Sequence, residues 1–64
     1  MPAKGKQYWT PKRIRELRLR LGLTQREAAE RIGASTITWR QWESGMRNPN
    51  TWASRLLSDW LQLA

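Results

Sequence analysis

Residues that start and stop helices alternate along the chain and constrain its fold more than any other feature. In order, they are Thr10-Pro11, Gly22, Thr24, Gly33, Ser35 and Gly45. A Thr or Ser hydroxyl accepts a hydrogen bond from the free N–H groups of a first helical turn, and Pro suits the first helical position. Gly adopts the left-handed conformation that commonly closes a helix. The pattern predicts short helices and no sheet.

These boundaries predict at least four helices. The first runs from Pro11 through Leu21, the second covers about residues 25–32, and the third covers residues 35–44. Asn50 or Thr51 begins a fourth helix that continues to near the end of the chain. No strand-like alternation, repeat or low-complexity tract is present. The expected fold class is all-α, a compact arrangement of four to five helices.

Apolar residues at helical spacing predict the core. The predicted inward residues are Ile14, Leu17, Leu21, Ala28, Ala29, Ile32, Trp39, Trp42, Trp52, Leu56 and Trp60. Sixty-four residues make one small domain, and a domain of this size buries only about 60% of its unfolded surface. The five Trp residues compensate, since each side chain buries roughly 150–250 Å². Leu61 and Leu63 fall outside the predicted inward stripe.

The composition excludes several classes of function. The chain has no Cys and no His, so neither a disulfide framework nor a zinc site of the usual kind is expected. The commonest general base and the best neutral-pH nucleophile are both missing, so we expect no enzyme. We also expect no cofactor, no bound metal and no small-molecule ligand. Apolar runs are too short to span a membrane, and the N-terminus does not resemble a signal peptide.

Positive charge is strong and unevenly distributed. The formal net charge is +7, and residues 1–31 carry nine basic and three acidic residues. This balance favours a polyanionic partner, with nucleic acid first and an anionic membrane surface second. We interpret residues 1–9 as a flexible basic arm and residues 10–64 as the folded domain. Trp9 is an exception within the arm, because it can also pack onto the domain.

The most informative unit covers residues 24–45. A short helix, a Gly-centred turn and a helix with two bulky anchors, Trp39 and Trp42, form the pattern of a helix-turn-helix. In this arrangement the second helix enters the major groove of DNA while the first crosses the backbone. The tryptophans would hold the second helix against the domain and leave its other faces free.

The stretch from Ile14 to Trp60 resembles the lambda-repressor-like (Cro-type, XRE-like) helix-turn-helix domains of phage and bacterial regulators. The resemblance is carried by Ile14, Leu17, Arg18, Gly22–Gln25, Ala29–Ser35, Trp39, Trp42–Gly45 and Pro49. It implies a compact all-α domain that binds double-stranded DNA. Trp39 replaces the Ile or Val that is commoner in the family.

The resemblance implies which residues read bases. Thr36, Ile37 and Gln41 occupy the family's base-reading positions on the third helix. Gln can bind adenine at two positions, whereas Thr and Ile can contact a thymine methyl group. Ile37 replaces a polar residue, which favours methyl contact there. Arg40 is adjacent, and either a guanine or a phosphate suits its side chain.

The resemblance also implies phosphate contacts and one structural ion pair. The residues that the resemblance assigns to phosphate contacts are Gln25, Ser35, Ser44, Arg47 and Asn48. Lys4 and Lys6 of the basic arm are predicted to contact phosphate as well. The family's Gln at the position of Gln25 typically binds a phosphate and braces a base-contacting residue. Arg18 and Glu43 match a pair that bridges the first and third helices. Simpler interpretations of two of these residues remain open. Ser44 could serve only to end its helix, and Asn48 could serve only to form the turn.

A small transcriptional regulator of the phage-repressor or Cro-like type is the function this resemblance implies. Such a regulator acts as a homodimer on a pseudo-palindromic operator, here with Trp60, Leu61 and Leu63 as candidate interface residues. It would act in the cytoplasm of a prokaryotic or phage-infected cell, on the nucleoid.

Three other interpretations compete with this one. A DNA-binding antitoxin, or a subunit of a larger regulator, shares the fold but uses the C-terminal helix for a different protein. A cationic Trp/Arg-rich membrane-active peptide shares the composition, but it predicts an unfolded chain in buffer. An adaptor would keep the fold without binding DNA; the positive charge, Gln25 and Gln41 argue against this interpretation.

Overall fold

The computed structural model describes residues 8–63, which form four α-helices and no strand. In chain order the helices are α1 (Pro11–Arg20), α2 (Gln25–Ile32), α3 (Thr36–Ser44) and α4 (Thr51–Leu63). The predicted all-α fold class is confirmed. The predicted end of α1 is one residue too late, since Leu21 is the C-cap. Lys4 and Lys6 of the predicted arm lie outside the described residues.

Side-chain caps explain where α1 and α2 begin. Thr10 accepts a hydrogen bond from the backbone N–H of Arg13 at 3.3 Å. Thr24 and Glu27 form a reciprocal capping box, with Thr24 N donating to Glu27 Oε1 at 2.8 Å and Glu27 N donating to Thr24 Oγ1 at 3.1 Å. The hydrogen bond from the Thr24 backbone, followed by that from its hydroxyl, lowers the pKa of Glu27. Both starts are encoded locally.

The turn between α2 and α3 is short because Gly33 ends α2 and Ser35, two residues later, begins α3. Gly33 closes α2 at φ +83°, in the left-handed region that favours glycine. Ala34 N then donates to Ala29 O at 2.9 Å. Ser35 caps α3 by accepting from Thr38 N at 3.0 Å. These contacts therefore fix the short turn that joins α2 to α3.

Asn50, rather than Thr51, caps α4. Its side-chain oxygen accepts from Ala53 N at 2.8 Å, and Ser54 N donates to the Asn50 carbonyl at 2.9 Å. The sequence left these two residues as alternatives for the cap. The structure decides between them because the amide side chain of Asn50 reaches the free N–H groups of the first turn.

Tryptophans occupy the centre of the core. Trp39 is completely buried, and its ring lies 5.5 Å from that of Trp42 and 6.0 Å from that of Trp60 between centroids. The buried core consists of Trp9, Ile14, Leu17, Ala28, Ala29, Ile32, Trp39, Trp42, Ala53, Leu57 and Trp60. Leu21 packs against its edge but is only partly buried.

Two predictions about α4 are wrong. Trp52 is 53% exposed, whereas Leu56 is partly buried and packs against the core as predicted; the fully buried stripe of α4 is formed by Ala53, Leu57 and Trp60. These three positions recur at the spacing of one helical face, from which Trp52 is displaced by one residue. Trp60 is 8% exposed and is therefore not available as a dimer surface.

Trp9 belongs to the core, although the sequence groups it with the N-terminal arm. It is 3% exposed, and its indole Nε1 donates to Ser58 Oγ at 3.2 Å. Tyr8 packs edge-on against it, with ring centroids 5.3 Å apart. Arg13 in turn lies over the Tyr8 ring at 4.6 Å from the centroid. The segment just before α1 thus covers one side of the helical domain.

Candidate nucleic-acid interface

The α2–α3 junction presents one face of α3 to solvent. Ala28 and Ala29 are completely buried, and these small side chains allow α2 to lie close to α3. Trp39 and Trp42 point from α3 into the core. The core thus fixes α3 on one side and leaves the opposite side uncovered.

Ile37, Arg40, Gln41 and Ser44 form the exposed stripe of α3. They are spaced at i, i+3, i+4 and i+7, so they share one helical face. Ile37 is 67% exposed, Arg40 and Ser44 are exposed, and Gln41 is half-buried. This outer stripe contains three of the predicted DNA-reading side chains. The fourth, Thr36, is half-buried in the first turn of α3.

The ion pair between Arg18 and Glu43 that the resemblance predicts is present. Arg18 Nε donates to Glu43 Oε2 at 2.6 Å, and Arg18 Nη2 donates to Glu43 Oε1 at 3.2 Å. The side chains are 13% and 6% exposed, respectively. Arg18 Nη1 also donates to the carbonyl of Leu23 at 3.0 Å. One guanidinium therefore joins α1, the α1–α2 loop and α3.

Glu43 accepts two further hydrogen bonds, from Trp39 Nε1 to its Oε2 and from Gln25 Nε2 to its Oε1. Burial by itself would raise the pKa of this carboxyl. The hydrogen bonds from Arg18, Trp39 and Gln25, together with the charge of Arg18, outweigh burial and lower the pKa below its ordinary value. Glu43 is thus an ionised centre that fixes donors from three helices.

Gln25 links this buried centre to the exposed stripe. Its Nε2 donates to Glu43 Oε1 at 3.2 Å, and its Oε1 accepts from Arg40 Nε at 3.3 Å. Gln25 is the first residue of α2, and it is half-buried. The side chain therefore braces Arg40 from the neighbouring helix.

The hydroxyls of Ser35 and Ser44, both predicted to contact phosphate, already make hydrogen bonds at the ends of α3. Ser35 Oγ donates to Thr38 Oγ1 at 2.9 Å and accepts from Thr38 N. Ser44 Oγ donates to Gln41 O at 3.1 Å and accepts from Met46 N at 3.4 Å. Both residues remain exposed. Phosphate binding by either stays a prediction.

The loop after α3 places Arg47 and Asn48 beside the end of the exposed stripe. Arg47 N donates to Gln41 O at 3.2 Å, which ties this loop to the last turn of α3. Gly45 begins the loop at φ +84°. Both Arg47 and Asn48 are exposed. Their side chains are therefore accessible to a ligand that lies along α3.

Two contacts in this site were not predicted in full from the sequence. Trp39 was predicted only as an apolar anchor, yet its indole also donates to Glu43. The four-residue spacing of these two positions was a usable signal. The family resemblance implied that Gln25 braces a base-contacting residue, but no local pattern indicates that its partner is Arg40, fifteen positions away.

Two other kinds of feature, metal clusters and membrane-spanning helices, were sought among the described residues. Among residues 8–63 no cluster of acidic, His or Cys side chains is arranged to hold a metal ion. In the same part of the chain, no helix combines the length and apolar character needed to cross a membrane.

A short helix joined by a tight turn to a second helix, whose outer face is uncovered, defines a helix-turn-helix domain. The family model described as a helix-turn-helix domain matches residues 12–64, and the chain belongs to this family. Membership indicates DNA binding and agrees with the XRE-like resemblance of the sequence. Comparisons with curated proteins and with solved structures gave no match.

Proposed function

We propose that this protein is a small transcriptional regulator that binds double-stranded DNA sequence-specifically and reads the major groove with α3. The observation that carries the proposal is the exposed stripe Ile37, Arg40, Gln41 and Ser44, opposite the buried Trp39. An α-helix fits the major groove, where each base pair presents a distinct set of donors and acceptors.

The stripe offers the chemistry for direct readout. Gln41 can bind adenine through both ends of its amide, and Ile37 can pack against a thymine methyl group. Thr36, in the first turn of α3, can also contact a methyl group. Each well-formed contact contributes about 1–3 kcal/mol of discrimination against the wrong base. Selectivity would therefore come from a nearly uncharged surface in which Arg40 is the basic residue.

Affinity would come from contacts to the phosphate backbone. The residues proposed for this role are Gln25, Ser35, Ser44, Arg47 and Asn48 near the ends of α3, with Lys4 and Lys6 from the N-terminal segment. The formal net charge of +7 would attract DNA over a longer range. Phosphate contacts release counterions, so binding should weaken steeply as salt rises.

A homodimer on a pseudo-palindromic operator completes the proposal. Leu63 is 79% exposed and Leu61 is 36% exposed, so both remain candidate interface residues at the end of α4. A two-fold dimer would place its half-sites about 34 Å apart, one helical turn of DNA. By occupying the operator, the dimer would block or recruit polymerase in the cytoplasm of a prokaryotic or phage-infected cell.

Selection from a random duplex library tests the proposal. The bound sequences should converge on one motif with two-fold symmetry. Fluorescence anisotropy at several salt concentrations should then show a strong preference for the selected duplex and a steep salt dependence. Recovery of unrelated sequences, or equal affinity for selected and scrambled duplexes, would contradict sequence-specific binding.

A further inference from the structure

The exposed basic residues of α1 lie on two sides of the helix. Lys12 and Arg15 line a groove between α1 and the end of α3. Arg13 and Arg20 line a separate groove beside Trp9, towards the end of α4. All four basic side chains are exposed. The fold thus divides one basic run into two pairs that have equal charge and different surroundings.

Glu43 connects the groove of Lys12 and Arg15 to the start of α2. Its side chain lines this groove. Its Oε1 accepts from Gln25 Nε2 at 3.2 Å, and Ser44 follows it in the chain. Gln25 and Ser44 are both proposed to contact phosphate. One side of the groove is therefore continuous with the proposed backbone contacts of α2 and α3.

Pro11 connects the same groove to the loop after α3. It lines the groove, and it lies beside Gly45, where an added Cβ would be 3.5 Å from Pro11 Cγ. Arg47, another proposed phosphate contact, follows Gly45 by two residues. Lys12 and Arg15 thus lie next to proposed phosphate contacts from two directions.

The positive charges of Lys12 and Arg15 are not neutralised within residues 8–63. Neither side chain takes part in an ion pair there, and the two lie one helical turn apart, where like charges repel. Glu43, in the same groove, is already paired with Arg18. Glu16 also lines this groove, but it lines the second groove of α1 as well. The fold therefore leaves a net positive charge beside α3.

Lys12 also occupies a position that a helix does not favour for a cation. It lies in the first turn of α1, which contains no acidic residue, and the positive end of the helix dipole repels its charge. Arg13, at the next position, gains a contact in return, because its guanidinium lies over the Tyr8 ring at 4.6 Å. Lys12 makes no such contact in the described part of the chain, so its charge is available to an external anion.

We propose that Lys12 and Arg15 bind the phosphate backbone of DNA beside the contacts of α2 and α3, whereas Arg13 and Arg20 contribute only long-range attraction. The inference rests on the proposed function and extends its contact surface to one side of α1. Phosphate contacts carry no direct sequence information, so these two residues add affinity and leave base preference unchanged.

An acidic segment of another protein is the competing occupant of this groove. Continuity favours DNA, because a backbone bound by Gln25 and Ser44 passes directly beside the groove. The strand that Arg47 would grip lies next to Pro11, at the N-terminal end of the same helix. A separate protein partner would require no such continuity.

Two double variants with the same change in net charge test the proposal. Lys12→Gln with Arg15→Gln removes the cations beside α3, and Arg13→Gln with Arg20→Gln removes those on the other side of the same helix. The affinity of each variant for one duplex is measured by fluorescence anisotropy at several salt concentrations. All four positions are exposed, so both variants should fold, and cooperative thermal unfolding checks this.

The first double variant should make the slope of log affinity against log salt shallower by about two, since each lost phosphate contact contributes about 0.9. The second should leave the slope nearly unchanged. Because both variants lose the same charge, long-range attraction falls equally, and the difference between their slopes reports local contact. The base preferences should be the same in both variants.

Uncharged methylphosphonate linkages, placed one at a time along the duplex, locate the contact. The wild-type protein should bind more weakly wherever such a linkage replaces a phosphate that contacts α1. The Lys12→Gln, Arg15→Gln variant should be insensitive to those linkages and remain sensitive to linkages at the other contacted phosphates. The Arg13→Gln, Arg20→Gln variant should respond like the wild type.

Equal changes of slope in the two double variants would overturn the inference, because the charge of α1 would then act only at long range. An unchanged slope after loss of Lys12 and Arg15 would overturn it as well and favour a protein partner. The slope can be measured on any duplex that the protein binds. Absence of base preference in the wild type would therefore reject the proposed function alone, whereas absence of binding to every duplex would reject both.

Discussion

Trp60 of α4 stacks on Trp39 of α3, with ring centroids 6.0 Å apart and planes inclined by 25°. Trp39 is completely buried and also contacts the ring of Trp42. The helix proposed to read DNA is therefore supported directly by the last helix of the domain. Damage to this contact should affect the stability of the whole domain.

Replacement of Trp60 by Leu should lower the free energy of unfolding by about 2–3 kcal/mol, because the smaller side chain leaves a cavity beside Trp39. In a domain of this size, each kcal/mol shifts the melting temperature by roughly 4–8 °C. Thermal unfolding followed by circular dichroism measures the effect. Leu19→Ala, at a position of α1 that is 58% exposed, is the control and should cost no more than about 0.5 kcal/mol. Equal melting temperatures for the two variants would show that the stack does not support the fold.

Trp9 should contribute as much to the free energy of unfolding as a buried residue within one of the helices. It is 3% exposed, so Trp9→Ala should cost about 3–5 kcal/mol, enough to unfold much of a small domain. Trp52→Ala provides a matched control, since Trp52 is 53% exposed and should cost less than half as much. Urea unfolding monitored by circular dichroism compares the two. A stable Trp9→Ala variant would mean that the folded domain begins at α1.

Protonation of Glu43 should destabilise the domain in acid. Its folded-state pKa lies below the ordinary value of 4.5, so its contribution to stability is complete above that pH. The contribution is lost as the pH falls through the lowered folded-state pKa. Glu43→Gln should reduce the free energy of unfolding by about 2 kcal/mol at pH 7, because the amide nitrogen that replaces one carboxylate oxygen cannot accept hydrogen bonds and Arg18 loses its counter-charge.

Urea unfolding at a series of pH values tests this sign. The difference between wild type and Glu43→Gln should be constant from pH 7 to about 5 and should shrink below 4.5. Glu30→Gln is the control, because Glu30 pairs with Arg26 on the surface, where both side chains are largely exposed. That pair should contribute at most about 1 kcal/mol. A difference for Glu43→Gln that grows in acid would refute the assignment.

Arg47 should contribute affinity without sequence preference. It is exposed in the loop tied to the end of α3, so Arg47→Ala should weaken binding to all duplexes by a similar factor. The slope of log affinity against log salt should become less steep by about one. Arg55→Ala, on the exposed part of α4, should leave the slope unchanged. Loss of preference at a single base pair in Arg47→Ala would instead identify Arg47 as a base reader.

Local chemistry made much of the fold predictable. The capping box of Thr24 with Glu27 and the left-handed Gly33 depend on residues within a few positions, so sequence alone located them. The family resemblance supplied the pairing of Arg18 with Glu43. Each of these features depends on a short range of sequence or on a recurring family pattern.

Features that depend on the distance between helices were not predictable. The order of apolar residues in α4 did not distinguish Trp52 from Trp60, because the stripe is wider than one face. The burial of Trp9 depends on where α4 lies, which the N-terminal sequence does not encode. The contact of Gln25 with Arg40 depends on how closely α2 and α3 approach.

The most direct test of the central claim, that α3 reads the major groove, is selection of duplexes by Gln41→Ala alongside the wild-type protein. Gln41 lies on the exposed stripe and contacts bases only if this face enters the groove. Gln41→Ala should lose preference at one base position in each half-site, by about 1–3 kcal/mol, and keep the preferences elsewhere. Unchanged selection at every position would contradict the assignment of this face of α3 to DNA reading.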